Sequence, residues 1–95
     1  MTGLGSLVNL TWLDLSFNLI EKIEGLEGLV RLEDLSLFSN RITKLEALDH
    51  LTRLNVLSVG NNELDSLEYN IKYLNGLQNN LEVLKIKGNK FKETQ

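Results

Sequence analysis

The 95-residue sequence has no cysteine, no proline, a single histidine and a single tryptophan. Without cysteine there can be no disulfide staple and no thiolate-ligated metal, and a cytosolic home fits, although the redox compartment stays open. The formal net charge of −3 lacks the basic excess that a duplex or phosphate-backbone binder carries, so no nucleic-acid partner is expected. No apolar run approaches the length of a bilayer span, and no basic segment followed by an apolar one opens the chain. Neither a membrane partner nor a secretory leader is therefore expected. Residues for catalysis are equally scarce. His50, in Asp49-His50-Leu51, has no acid–nucleophile pattern beside it and reads as exposed surface in a repeat connection. Glu33 and Asp34 are adjacent, but nothing identifies a catalytic pocket around them. Gly25 and Gly28 lie within an apolar coil instead of a phosphate loop. The expectation is a non-enzymatic protein with no cofactor and no metal.

What the chain has in excess is leucine, 22 of its 95 residues, and the leucines keep a frame. Leu10, Leu13, Leu15, Asn18, Ile20, Ile23 and Leu26 recur 22 residues later as Leu32, Leu35, Leu37, Asn40, Ile42, Leu45 and Leu48. A further step of 22 gives Leu54, Leu57, Val59, Asn62, Leu64 and Leu67, with Asn70 where an apolar residue is due. The last copy, Leu81, Leu84, Ile86, Asn89 and Phe91, is displaced 27 residues instead of 22. Asn9-Leu10-Thr11 has the form of a glycosylation acceptor, but Leu10 belongs to this frame and modification is not expected.

Each copy predicts a strand followed by a return segment. Leu35-Ser36-Leu37 has the two-residue period of a strand, with Leu35 and Leu37 inward and Asp34, Ser36 and Phe38 outward. Asn18, Asn40, Asn62 and Asn89 share the phase after the strand, where a stacked amide ladder can both donate to and accept from turning backbone. Ile42, Leu45, Leu48 and Leu51 then recur every three residues, which suits 3₁₀ or irregular turns. A coil of 22 residues cannot cover its own apolar face, so neighbouring coils must. The excess length between Leu67 and Leu81, running from Glu68 to Asn80, carries Ile71, Tyr73, Leu74 and Leu77 at spacings that predict a longer convex helix. The expected fold is an α/β solenoid with a concave parallel sheet and short 3₁₀ or helical turns on the convex side. It forms a single domain over 1–95 with about four repeats. Both ends run directly into repeat material where polar caps are usual, so a fragment of a longer protein is expected, the alternative being a short protein that dimerises.

The frame, with Asn18-Leu19-Ile20 and Ile23-Glu24-Gly25-Leu26-Glu27-Gly28-Leu29, resembles the 22-residue class of leucine-rich repeats across residues 4–91. That class includes a regulatory protein of type-1 serine/threonine phosphatases, axonemal dynein light chain 1 and many ciliary proteins. Residues 7–64, LVNLTWLDLSFNLIEKIEGLEGLVRLEDLSLFSNRITKLEALDHLTRLNVLSVGNNEL, are similar to the repeat domain of the dynein regulatory complex subunit 3 family of the nexin–dynein link. In that family coiled-coil segments follow the repeats; they are absent from this sequence, which leaves assembly into the complex unseen. The resemblance implies a cytoplasmic, cytoskeletal scaffold of the ciliary or flagellar axoneme, with other subunits of the regulatory complex as protein partners. Two alternatives stay open: a regulatory subunit binding a type-1 phosphatase, and a recognition module of a larger enzyme.

Once the frame is assigned to the core, the residues it does not dictate are left for recognition. Three rows should cross the outer face of the sheet: Trp12, Asp34, Val56 and Val83; Asp14, Ser36, Ser58 and Lys85; and Ser16, Phe38, Gly60 and Lys87. Trp12, Phe38, Val56 and Val83 are apolar where water is expected, and an exposed tryptophan and phenylalanine are suited to anchoring a protein partner. Trp12 could instead lean onto the adjacent coil. Asp14 and Asp34 precede Lys85 and Lys87, so the face should run from acidic to basic and orient a partner of opposite pattern. Glu24, Glu27, Glu46 and Asp49 read as a solvated opposite flank.

Overall fold

Alternating Trp12-Leu13-Asp14 forms the first of four short strands among the described residues, β1 (Trp12–Asp14), and the same phase gives β2 (Asp34–Ser36), β3 (Val56–Ser58) and β4 (Val83–Lys85). The computed structural model describes residues 7–77 and 81–91. The strands make one sheet in the order β1-β2-β3-β4, every pair parallel. Register follows the sequence frame: Leu13 pairs with Leu35, Leu35 with Leu57 and Leu57 with Leu84. The five extra residues before the last copy therefore leave the sheet in phase. Pairing continues past the strand ends, from Phe17 N–H to Phe38 C=O (2.9 Å), Ser39 to Gly60 (2.9 Å) and Asn61 to Lys87 (2.9 Å).

Inward side chains build the core, and their burial depends on how many neighbouring coils cover them. Leu32, Leu35, Leu37, Ile42, Leu54, Leu57, Val59 and Leu64, in the two middle copies, are fully buried. Leu10, Leu13, Leu15 and Ile20 of the first copy, and Leu81, Leu84, Ile86 and Phe91 of the last, only pack against that core from its ends. A fully buried leucine contributes about 1.5–3 kcal/mol, so each middle copy gains what the outer copies collect only in part.

Asparagine does what leucine cannot at the turn after each strand. The Asn40 amide donates to Leu37 C=O of its own coil (3.0 Å) and to Leu15 C=O of the preceding one (3.0 Å), while its Oδ1 accepts Ile20 N–H (3.1 Å). Asn62 repeats this with Val59 C=O (3.0 Å), Leu37 C=O (2.9 Å) and Ile42 N–H (3.0 Å). Asn89 bonds Ile86 C=O (2.7 Å), Val59 C=O (3.0 Å) and Leu64 N–H (3.0 Å). Among the described residues Asn18 reaches only its own Leu15 and Ser16 carbonyls, and it is exposed. The residue ahead of each ladder amide turns the chain with positive φ: Phe17 (59°), Ser39 (59°), Asn61 (52°) and Gly88 (87°).

The return segments are short single turns in the three-residue spacing of their leucines. Leu29 N–H bonds Leu26 C=O and Leu32 N–H bonds Leu29 C=O; Leu51 and Leu54 repeat the pair on Leu48 and Leu51. After Leu64 the chain instead forms α1 (Leu67–Asn75), whose N-cap Ser66 accepts Tyr69 N–H at 3.1 Å. The frame's inward placement of Leu67 fails here. Leu67 and Ile71 are 44% and 39% exposed, because the helical phase of 100° per residue turns Asn70, Tyr73 and Leu74 inward in their place. Asn70 is buried, and it is polar because its Oδ1 accepts Leu45 N–H (2.8 Å) while its amide donates to Ser66 C=O (2.6 Å). The Tyr73 hydroxyl accepts Leu48 N–H (2.8 Å) and donates to Asp49 (2.5 Å); Tyr69 donates to Leu45 C=O (3.1 Å). Burial, then the Asp49 hydrogen bond, hold the Tyr73 phenol well above its ordinary range. The helix thus satisfies the backbone of the coil before it. Gln78, Asn79 and Asn80, the end of the expected convex extension, lie outside the described residues.

His50 also departs from its expected exposure. It is half-buried, with Nε2 2.9 Å from Leu26 C=O of the preceding coil, so the ring fastens two return segments together.

Candidate protein-binding face

Parallel register brings the three off-frame rows onto the open face of the sheet. Trp12, Asp34, Val56 and Val83 are consecutive register partners, as are Asp14, Ser36, Ser58 and Lys85. Trp12 is 60% exposed, and Val83 at the far strand is 40% exposed. Val56 and Asp34 between them are half-buried. The face therefore presents an indole at one edge and an aliphatic side chain at the other.

Hydroxyls run down the middle of this surface. Ser16 Oγ lies 2.8 Å from Ser36 Oγ, and Ser58 is the β3 register partner of Ser36. Asp14 Oδ1 accepts Ser16 N–H at 2.9 Å, and its hydrogen bonds to Ser16 hold the carboxyl below the ordinary aspartate range. At neutral pH the acidic edge is consequently ionised.

The third row holds the tightest packing. A Cβ on Gly60 would stand 3.2 and 3.3 Å from two atoms of the Phe38 ring and 2.9 Å from the Lys87 carbonyl. Glycine at this outward position lets the Phe38 ring lie down over the backbone of the neighbouring strand, as aromatic rings do over sheet glycines. Phe38 is half-buried as a result, and Gly60 is buried.

Phe17, which the row analysis passed over, completes the arrangement. Its ring meets that of Phe38 edge-on, with centroids 5.5 Å apart at 76°, a geometry aromatic quadrupoles favour. It is 76% exposed and its backbone has a φ of 59°, uncommon for a bulky residue. Ser39, Asn61 and Gly88, its counterparts in the other copies, are small or polar. A phenylalanine in a phase otherwise given to such residues is the sequence signal that identifies it. Leu19, two residues on, is 70% exposed.

Ser16, Ser36, Phe38, Ser58, Gly60, Leu84, Lys85, Ile86 and Lys87 line a groove of about 800 Å³. Lys85 and Lys87 stand exposed at one end, Asp14 at the other, with Asp34 in the adjoining row. Among the described residues none of these four has an ion-pair partner; the one pair within 4.0 Å joins Lys44 and Glu46. No group of three or more His, Cys, Asp or Glu among the described residues is placed to hold a metal ion. No helix among them is long and apolar enough to cross a membrane. The site is suited to binding side chains and carries no assembled nucleophile and base.

A family profile of leucine-rich repeats in two copies matches residues 8–50 and 30–79, overlapping across the second copy of the frame. No curated protein gives a significant match to the chain.

Proposed function

Because the chain belongs to the leucine-rich-repeat family, whose repeats generally serve as protein–protein interaction modules, we propose that it is a non-enzymatic scaffold whose open sheet face receives a protein partner. The observation that carries this reading is the exposure of Trp12 on the open sheet face and of Phe17 against Phe38 of the groove, where frame positions account for neither. An exposed apolar patch rimmed by charge is a surface awaiting a partner. The proposed site comprises Trp12, Asp14, Asp34, Ser36, Phe38, Val56, Ser58, Val83, Lys85 and Lys87, with Phe17 added by geometry. Residues 1–95 act as one repeat domain, a curved solenoid that displays this face on its concave side. Its mechanism is rigid display: the amide ladder and leucine core fix the face before the partner arrives, which lowers the ordering cost of association.

The ciliary assignment, a linker of the axoneme in the cytoskeleton, rests on the similarity of residues 7–64 to the dynein regulatory repeat domain. Proximity labelling of the full protein in ciliated cells, with imaging of its position, tests both levels. Labelling of axonemal subunits that weakens in Trp12→Ala and Phe38→Ala variants of unchanged fold is the expected result. Labelling unaltered by both variants would remove the sheet face from the proposal, and a protein absent from cilia would remove the axonemal role.

A further inference from the structure

We propose that the groove takes a short extended acidic segment of a partner protein that carries one apolar side chain. Its carboxylates meet Lys85 and Lys87, and its apolar residue lies against the Phe17–Phe38 pair. This inference deepens the protein-binding reading of the same face and rests on it.

Three observations select this occupant. First, the polarity of the face is built by register: Asp14 on β1 and Lys85 on β4 occupy the same row, separated by two serine positions. Strands stand about 4.8 Å apart, so the row is about 14 Å long, the reach of roughly five extended residues. Second, the lysines are exposed and have no ion-pair partner among the described residues, so their charge is available to an incoming carboxylate. Third, Phe17 is held in a left-handed conformation that its chemistry disfavours, 76% exposed and edge-on to the Phe38 ring. Stability of the turn does not call for a phenylalanine, since Ser39 and Asn61 make the same turn. A bulky apolar group kept at a strained, exposed position is best explained by what it touches when the site is filled.

The components then divide the work. Lys85 and Lys87 attract acid at the β4 end, while ionised Asp14, with Asp34 beside it, repels acid from the β1 end and favours a basic or amino-terminal group there. That difference sets the direction of the segment. Ser36 and Ser58, between the charged ends, offer hydroxyls that donate to or accept from its backbone. The ring pair supplies the apolar anchor, and the Gly60 backbone beneath Phe38 keeps that ring low enough for a segment to lie across the sheet.

The test uses the purified 95-residue chain and fluorescein-labelled ten-residue peptides read by anisotropy. One peptide has an acidic half, a central phenylalanine and a serine/glycine remainder. A second replaces the phenylalanine by alanine, and a third replaces every acid by lysine. The acidic phenylalanine peptide should bind at least about tenfold more tightly than either control, weakening as salt rises. A Lys85→Glu/Lys87→Glu chain should lose about tenfold toward it and gain affinity for the lysine peptide. Phe17→Ser should weaken the phenylalanine peptide alone. Equal binding of the three peptides, or no reversal in the charge-swapped chain of unchanged circular dichroism, overturns the proposal. The two readings fail separately: cellular labelling that depends on Trp12 and Phe38 but not on Lys85 and Lys87 would keep the binding face and discard the acidic partner, whereas labelling that depends on none of the four would remove the face itself.

Discussion

Asn62 offers the sharpest test of how the stacked coils hold together. It is 2% exposed, and its side chain makes four hydrogen bonds: to Leu37, Val59 and Gly60 carbonyls and from Ile42 N–H. Replacement by alanine does not orphan all four partners. Leu37 C=O keeps the Asn40 amide, Val59 C=O keeps Asn89, and Gly60 C=O keeps Ser39 N–H. Only Ile42 N–H loses its acceptor, at a cost of about 1–3 kcal/mol for a buried unsatisfied donor. The space vacated by the carboxamide adds to this, giving about 2–4 kcal/mol for Asn62→Ala. At roughly 4–8 °C per kcal/mol for a domain of this size, the thermal midpoint should fall by about 10–30 °C. Asn18→Ala is the control: that exposed amide bonds only its own coil, and its loss should cost under about 1 kcal/mol. Asn62→Asp keeps the shape but turns a donor toward three carbonyls into an acceptor unless the carboxyl stays protonated. Its folded pKa is therefore raised above the unfolded value of about 3.9. The folded variant binds more protons between the two values, so its stability is full below about pH 4 and falls as pH rises. Urea unfolding followed by circular dichroism at pH 4 and pH 7 reads all three variants. Equal losses for Asn18→Ala and Asn62→Ala, or an Asn62→Asp variant that stabilises with rising pH, would refute the ladder account.

Tyr73→Phe should cost about 1–2 kcal/mol in urea unfolding, because Leu48 N–H loses its acceptor. With the Tyr73 pKa raised, folding holds its proton while the unfolded chain ionises, so stability should decline as pH climbs through about 10. That decline should be smaller in the phenylalanine variant. Gly60→Val should destabilise by about 1–3 kcal/mol through contact with the Lys87 carbonyl and displacement of Phe38, visible as a near-ultraviolet circular dichroism change. An unaltered aromatic signal would contradict the ring-over-glycine packing. Phe17→Gly should leave stability within about 1 kcal/mol, since relief of roughly 1–2 kcal/mol of left-handed strain offsets an edge contact of about 0.5–1.5 kcal/mol. A large thermal shift would show that Phe17 serves folding.

The strands and their register were legible because a repeat of fixed length delivers the same residue phase to the same place, and each leucine pattern has only one face to bury. The ladder amides were legible for the same reason: Asn40, Asn62 and Asn89 recur where a turn leaves backbone groups open. The helix between Ser66 and Gly76 was foreseen as an element but not in its facing. There the frame pointed Leu67 inward, and a change of period from three to 3.6 turned it out and brought Asn70 and Tyr73 in. Their hydrogen bonds to Leu45 and Leu48 connect residues 25 apart, a contact no local pattern announces. His50 was misjudged because its partner, the Leu26 carbonyl, belongs to another coil. On the candidate face, Trp12 and Phe38 could be found by subtracting the frame. Phe17 could not be found by rows alone, since its significance comes from a backbone angle and a ring contact.

Where the aromatic pair sits has a consequence for how occupancy would propagate. Phe17 belongs to the first described coil, which among the described residues packs on one side only, while Phe38 belongs to the fully covered second coil. In a stack stabilised by nearest-neighbour contacts, such an outer coil opens at lower free energy than the middle of the array. A segment lying across both rings would bridge this partly covered coil to a fully covered one, acting as a clasp between them. Amide exchange in residues 10–23 would then slow on binding far more than in residues 54–64. Occupancy of the face would be recorded as order at its edge.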